Sequence, residues 1–137
     1  AAGLAALSDA VSVVLVHDAA RCLTPVVVFE RVLAALAAGA AGAIPGVPVV
    51  DTIKVVDAGG FITATPLRDS LRAVQTPQGF DRALLTAAHA SGAAATDDAA
   101  LVEALGHDVI VVEGDALGLK ITTVDDLARA ERLLSDH

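Results

Sequence analysis

The residues that could do chemistry in this chain fall in short strings, each where an apolar run gives way to a turn or a helix. His17-Asp18-Ala19-Ala20-Arg21 comes first and Asp51-Thr52-Ile53-Lys54 follows. Then come Val74-Gln75-Thr76-Pro77-Gln78-Gly79-Phe80 and, near the end, Lys120-Ile121-Thr122-Thr123. Hydroxyls, carboxylates and cations at such junctions suggest a site for a phosphorylated, hydroxyl-rich ligand. Asp18 could accept hydrogen bonds from ligand hydroxyls or bind a hard divalent cation, while Arg21 could steady a phosphate. The structural alternative is a mutual ion pair, or Asp18 capping the turn. A place at the carboxyl end of a strand favours the functional role.

Other candidates carry an equally plain second meaning. Thr52 and Lys54 share a strand face, and Thr52 could donate to a phosphate oxygen, but Thr is also simply a good strand former. Arg68 or Arg72 could fork a phosphate, or both could be solvated surface. Thr76-Pro77 is a stiff corner before an expected helix, where the hydroxyl could meet an anion or cap the helix. Lys120 could be a ligand contact or a surface charge. Thr96-Asp97-Asp98 reads first as a helix start and second as a metal site. His17 is expected to be packed or backbone-bonded without a catalytic role, and His89 and His107 fit no zinc spacing. No Ser-His-Asp elbow, H-E-x-x-H or G-x-x-x-x-G-K loop occurs.

At 137 residues the chain fits one domain, and with 55% hydrophobic but only 2% aromatic residues its core must be Val, Leu, Ile and Ala. A net charge of −8 argues against a nucleic-acid surface. Cys22 is the single cysteine, which fits a reducing, cytoplasmic setting. No apolar run reaches the roughly 18 residues of a membrane span. Residues 1–7 read as the last turns of a helix already under way, so the chain is expected to begin inside a larger protein.

The strings need a scaffold, and the apolar patterning describes one. Residues 11–16 are β-branched and apolar on both faces, which predicts a central strand ending at His17-Asp18. Thr24 as N-cap and Pro25 at the first position predict a helix to about residue 38, with Val26, Phe29, Val32, Leu33 and Leu36 as its apolar stripe. Residues 43–50 are extended, with prolines that suit an edge or an arm. Residues 52–57 and 61–65 flank Asp57-Ala58-Gly59-Gly60 as a hairpin, and 71–75 return to the sheet. Helices are expected over about 79–89 and, behind a Thr96 N-cap, 97–105, closed by Gly106. Residues 109–112 read as a second buried strand and 121–122 as a short extended piece. Thr123 with Asp126 is a capping box opening a helix to about residue 134. The alternation predicts an α/β sandwich with a mostly parallel sheet, mixed if anywhere at the arm.

Taken in order, five strings resemble the 2-C-methyl-D-erythritol 4-phosphate cytidylyltransferase family over essentially the whole chain. They are Val16-His17-Asp18-Ala19-Ala20-Arg21, Asp51-Thr52-Ile53-Lys54, Gln75-Thr76-Pro77-Gln78-Gly79-Phe80, Thr96-Asp97-Asp98-Ala99 and Lys120-Ile121-Thr122-Thr123. The resemblance implies a Rossmann-like nucleotidyltransferase fold, a three-layer sandwich with a β-arm projecting at about residues 48–72. It implies cytidylyl transfer from CTP to the sugar phosphate in non-mevalonate isoprenoid biosynthesis, with Mg²⁺ as cofactor and Asp18 as its ligand. Asp18, Arg21 and Thr76 would then face the methylerythritol phosphate, and Lys120 would neutralise charge at the α-phosphate. Thr52 and Arg68 would reach a partner's site from the arm of a homodimer. The chain departs from the family at Cys22, where Pro is frequent, and at Gly118, where Asn is common. The family's Gly-rich, Arg- and Lys-bearing triphosphate loop is not among these residues. Residues 1–137 are thus expected to be a partial, carboxyl-terminal cytidylyltransferase domain that does not turn over CTP alone. Two alternatives remain, a ribitol 5-phosphate cytidylyltransferase of the same fold and a non-catalytic, dimer-forming domain.

Overall fold

The computed structural model describes residues 2–92 and 94–135. Ala1, placed by sequence in the first helix, and Ala93, in the small-residue run Gly92–Ala95, lie outside the described residues. A short helix, α1 (Ala2–Ala5), comes first. β1 (Val13–Val16), β2 (Gly42–Pro48), β5 (Arg72–Val74), β6 (Gln78–Asp81) and β7 (Val109–Glu113) form one sheet, while β3 (Val55–Val56) and β4 (Ile62–Ala64) pair in a separate arm.

β7 runs parallel to β2, from Gly42 opposite Val109 to Gly46 opposite Glu113. That ladder fills one edge of β2, so the antiparallel partners of the same residues, in β6 and β5, share the other edge. β5 and β6 are therefore one ribbon, broken at Gln75-Thr76-Pro77, where the Thr76–Pro77 peptide is cis. β1 lies antiparallel along the far side of β6. The sheet is mixed, which corrects the mostly parallel expectation. β1, β2 and β7 do point the same way, but the β5–β6 ribbon runs against them, with β6 between β1 and β2.

The source of that correction is local. Gln78-Gly79-Phe80 is a strand, not the first turn of a helix. A Cβ on Gly79 would stand 2.8 Å from Leu15 Cδ2 and 2.9 Å from Leu36 Cδ1, so bare backbone is what lets this strand lie close to its neighbours. Phe80 is fully buried with Ile44, Leu85, Ala88, Ala99 and Val102. Successive strand residues face opposite sides. Gly79 therefore meets α2 (Val26–Ala37) on one face, and Phe80 meets α3 (Arg82–Ala90) and α4 (Asp98–Ala104) on the other. The result is the expected three-layer α/β sandwich.

Two strand placements also change. β2, expected at an edge or in the arm, is buried from Gly42 to Gly46 and is paired on both sides. Pro45 sits opposite the break in the partner ribbon, where its carbonyl accepts from Gln75 N at 2.8 Å. A residue's N–H and C=O face the same strand edge, so the donor that Pro45 lacks faces the break in the partner ribbon. β1, expected to be central, pairs only with β6 among the described residues.

Helix α2 buries Val28 and Val32 completely and exposes Val26 and Leu33, so its apolar stripe is rotated from the expected one. Pro25, not Thr24, is its N-cap, and the Thr24 hydroxyl donates to the Arg21 carbonyl instead. α3 is capped by Asp81, and α4 by Asp97 rather than Thr96. α5 (Val124–Ser135) opens on the expected capping box: Thr123 Oγ1 accepts from Asp126 N, and the Asp126 carboxylate accepts from Thr123 N. The arm turns where expected, with Asp57 Oδ1 accepting from Gly59 N and Phe61 N and Gly60 at φ 83°. Among the described residues no helix is long and apolar enough to cross a membrane.

Candidate functional site

β1 delivers Asp18 to a tight turn closed by Arg21 N donating to the Asp18 carbonyl at 2.9 Å. Beyond β7, a 3₁₀ turn at Ala116–Gly118 leads to Lys120, and Ile121 N donates to the Ala20 carbonyl at 2.8 Å. That bond fastens the lysine segment to the aspartate turn. Lys120 Nζ lies 3.0 Å from Asp18 Oδ2, and Arg21 Nε lies 3.6 Å from the same oxygen. The remaining donors of Arg21 reach backbone, Nη1 to Gly118 O at 2.6 Å and Nη2 to Val74 O at 3.4 Å. Its Nε is buried without a hydrogen bond.

The break in the β5–β6 ribbon supplies the opposite wall. Thr76 is held off the ladder beside Asp18, whose N–H donates to Thr76 Oγ1 at 3.0 Å. Asp18, Arg21, Thr76 and Lys120 all line one cavity of about 440 Å³, so residues far apart in sequence converge as expected. The hydrogen bond from Lys120 holds the Asp18 carboxyl below its usual range; burial opposes this, and the charges of Lys120 and Arg21 add to it. Thr76 does not cap a helix, because a strand follows it.

Thr52 and Arg68 are not in this cavity. Both are exposed on the arm, where Arg68 Nη1 donates to Val50 O at 2.7 Å. Arg72 is likewise turned to its own backbone neighbours. Asp97 and Asp98 do line the cavity, but each has structural work. Asp97 caps α4 and accepts from Gln78 Nε2, and Asp98 meets His89 Nε2 at 2.8 Å. No group of three His, Cys, Asp or Glu side chains placed to hold a metal occurs among the described residues.

Sequence reasoning missed Gln75. This buried side chain donates from Nε2 to Asp115 O at 2.7 Å and accepts at Oε1 from Asp115 N at 3.1 Å. It thereby clamps the loop that carries Gly118 and Lys120. Gln is usually exposed, so residue type gives no hint; its neighbourhood to Thr76-Pro77 was the only signal. His17, expected to be packed or backbone-bonded, has its ring centroid 5.0 Å from that of Phe29 and also meets Thr76 Oγ1 at 2.9 Å. A larger cleft of about 620 Å³ beside Arg82 lacks comparable convergence, since Arg82 is committed to Leu7, Ser8 and Asp9.

Residues 1–136 match the family model described as 2-C-methyl-D-erythritol 4-phosphate cytidylyltransferase. The chain is 57% identical over 133 residues to the protein of that name from Nocardia farcinica, covering 97% of this chain and 57% of that one. It is 54% identical to the one from Frankia casuarinae, covering 96% of this chain and 50% of that one. The crystal structure of 4-diphosphocytidyl-2C-methyl-D-erythritol synthase from Anaerococcus prevotii superposes with a TM-score of 0.90 at 34% identity, over 98% of this chain and 64% of that one. The chain thus spans about half the length of the curated relatives it matches.

Proposed function

This chain belongs to the 2-C-methyl-D-erythritol 4-phosphate cytidylyltransferase family, and we propose that it serves the transfer of a cytidylyl group from CTP to 2-C-methyl-D-erythritol 4-phosphate with release of pyrophosphate. The observation that supports this most is the convergence of Asp18, Arg21, Thr76 and Lys120 on one cavity. A phosphate dianion is already nucleophilic at neutral pH, so its in-line attack on the α-phosphorus needs no general base. The new P–O bond forms as the bond to pyrophosphate breaks, and the protein's task is positioning and charge compensation. Lys120 is the group assigned to the α-phosphate. Its ammonium faces Asp18 here, so an incoming phosphate oxygen competes with that carboxylate. Arg21 and Thr76 are assigned to the sugar phosphate, and Asp18 to its hydroxyls.

Asp18 is also the proposed protein ligand for Mg²⁺. Its Oδ2 is shared by Lys120 and Arg21, which leaves Oδ1 to offer, and magnesium commonly takes one or two carboxylates with water and phosphate oxygens. When bound, the ion would offset negative charge on the nucleotide phosphates. Thr52 and Arg68 are assigned to the site of a second subunit in a homodimer formed through the arm. In favour of that arrangement, Val50, Phe61 and Leu67 are 80%, 75% and 83% exposed, an apolar surface a second copy would cover. The G-x-x-x-x-G-K pattern does not occur in these 137 residues, and no further triphosphate contact is assigned among them. A cytoplasmic setting accords with the one free cysteine, Cys22.

In the complete protein, Lys120→Ala should lower kcat by roughly an order of magnitude or more. Turnover within about twofold of wild type removes Lys120 from the mechanism.

A further inference from the structure

We infer that His17 is a positioning residue whose ring donates a hydrogen bond to Thr76 and so turns the Thr76 hydroxyl proton toward the ligand, an inference that rests on the phosphate-binding role proposed for this cavity. A threonine hydroxyl has one proton and two lone pairs. The Asp18 N–H occupies one lone pair of Thr76 Oγ1 from 3.0 Å. His17 Nδ1 stands 2.9 Å from the same oxygen, and that contact has two chemical meanings. With a bare Nδ1, Thr76 spends its only proton on the ring and can present just a lone pair to a phosphate oxygen, which is repulsive. With a proton on Nδ1, the ring donates and both lone pairs are filled. The hydroxyl proton is then left for a ligand beside Asp18, Arg21 and Lys120, where Thr76 lines the cavity.

An anion-binding wall requires the second arrangement. A neutral ring protonated at Nδ1 suffices, so no change of charge is involved. The position of that proton is set by the bonds the ring makes rather than by the ring itself. The His17 ring also packs against Phe29, the two rings inclined at 58°. His17 touches no reacting atom; it acts through Thr76.

Two measurements on the complete protein decide this. Selective ¹⁵N labelling of histidine, with His17 assigned from the signals missing in His17→Asn, reads the tautomer. A protonated Nδ1 in the sugar-phosphate-bound protein is expected, and a bare Nδ1 there overturns the inference. In steady-state kinetics, His17→Ala should raise KM for the sugar phosphate about tenfold with a smaller change in kcat. His17→Asn, whose amide N–H can stand where Nδ1–H stood, should recover most of that loss. In a Thr76→Val background His17→Ala should add nothing, because the hydroxyl it directs is gone. An undiminished loss in that background assigns the ring some other task and overturns the inference. Absence of cytidylyl transfer in the wild-type protein would instead refute the proposed function, and the tautomer would still be read independently.

Discussion

Replacing Gln75 by Leu removes the hydrogen bonds of one buried side chain while nearly keeping its volume. Gln75 is 6% exposed, and its amide both donates to and accepts from the backbone of Asp115. The leucine variant leaves that N–H and that C=O without their partners. An unpaired buried polar group costs about 1–3 kcal/mol. Asp115 is half-buried, so water reaches part of it, and the lower end applies, about 2 kcal/mol for the pair. The more apolar leucine returns less than about 1 kcal/mol, for a net loss of about 1–2 kcal/mol. The loop cannot simply close on the new side chain. A Cβ built on Gly118 already lies 3.0 Å from the Gln75 amide atoms, so the packing there is tight. Because the clamped loop supplies the carbonyl that holds Arg21 and leads to Lys120, kcat should fall as well. Urea unfolding of the complete protein and steady-state turnover measure the two effects. A variant within about 0.3 kcal/mol of wild type, with unchanged turnover, would refute the claim that this amide holds the lysine loop.

Two further outcomes follow from other parts of the molecule. Backbone and hydroxyl donors of Thr122 and Thr123 push the Asp126 carboxyl down to about 2, against 3.8 ordinarily. Its contribution to α5 is therefore complete above the ordinary value and is lost as pH falls through the lowered one. Amide protection in α5, corrected for intrinsic exchange, should fall between about pH 4 and pH 2, more so than in an Asp126→Asn variant, and equal behaviour of the two would count against the capping box. Sedimentation at micromolar concentration should find the complete protein dimeric and a Phe61→Asp variant shifted toward monomer; a wild-type monomer would contradict dimerisation through the arm.

Elements whose signal is local were legible. The arm turn rests on Asp57 and Gly60, the last helix on Thr123 and Asp126, and β7 on an unbroken β-branched run, although the burial expected of β7 is not found, with Ile110 and Val111 51% and 44% exposed. What failed depended on distant partners. Gln78-Gly79-Phe80 carries no strand periodicity, and its conformation is set by the packing of Leu15, Val32 and Leu36 onto Gly79. Prolines 45 and 48 argued for an edge, yet the break opposite Pro45 that admits it into a central strand lies some thirty residues on. The α2 stripe was misplaced because several consecutive apolar residues leave its phase undetermined until the sheet selects Val28 and Val32. In the site, the charged and hydroxyl groups were legible because their junction positions are unusual. Gln75 and His17 were not, since each acts through a backbone or hydroxyl partner that only the folded chain supplies.

Phosphorus NMR of the complete protein, incubated with CTP and either sugar phosphate, tests the central claim most directly. Methylerythritol phosphate should yield a diphosphate-linked cytidylyl product and pyrophosphate in equal amounts, and Lys120→Ala should slow their appearance. Preferential consumption of ribitol 5-phosphate, or no pyrophosphate with either acceptor, would contradict it.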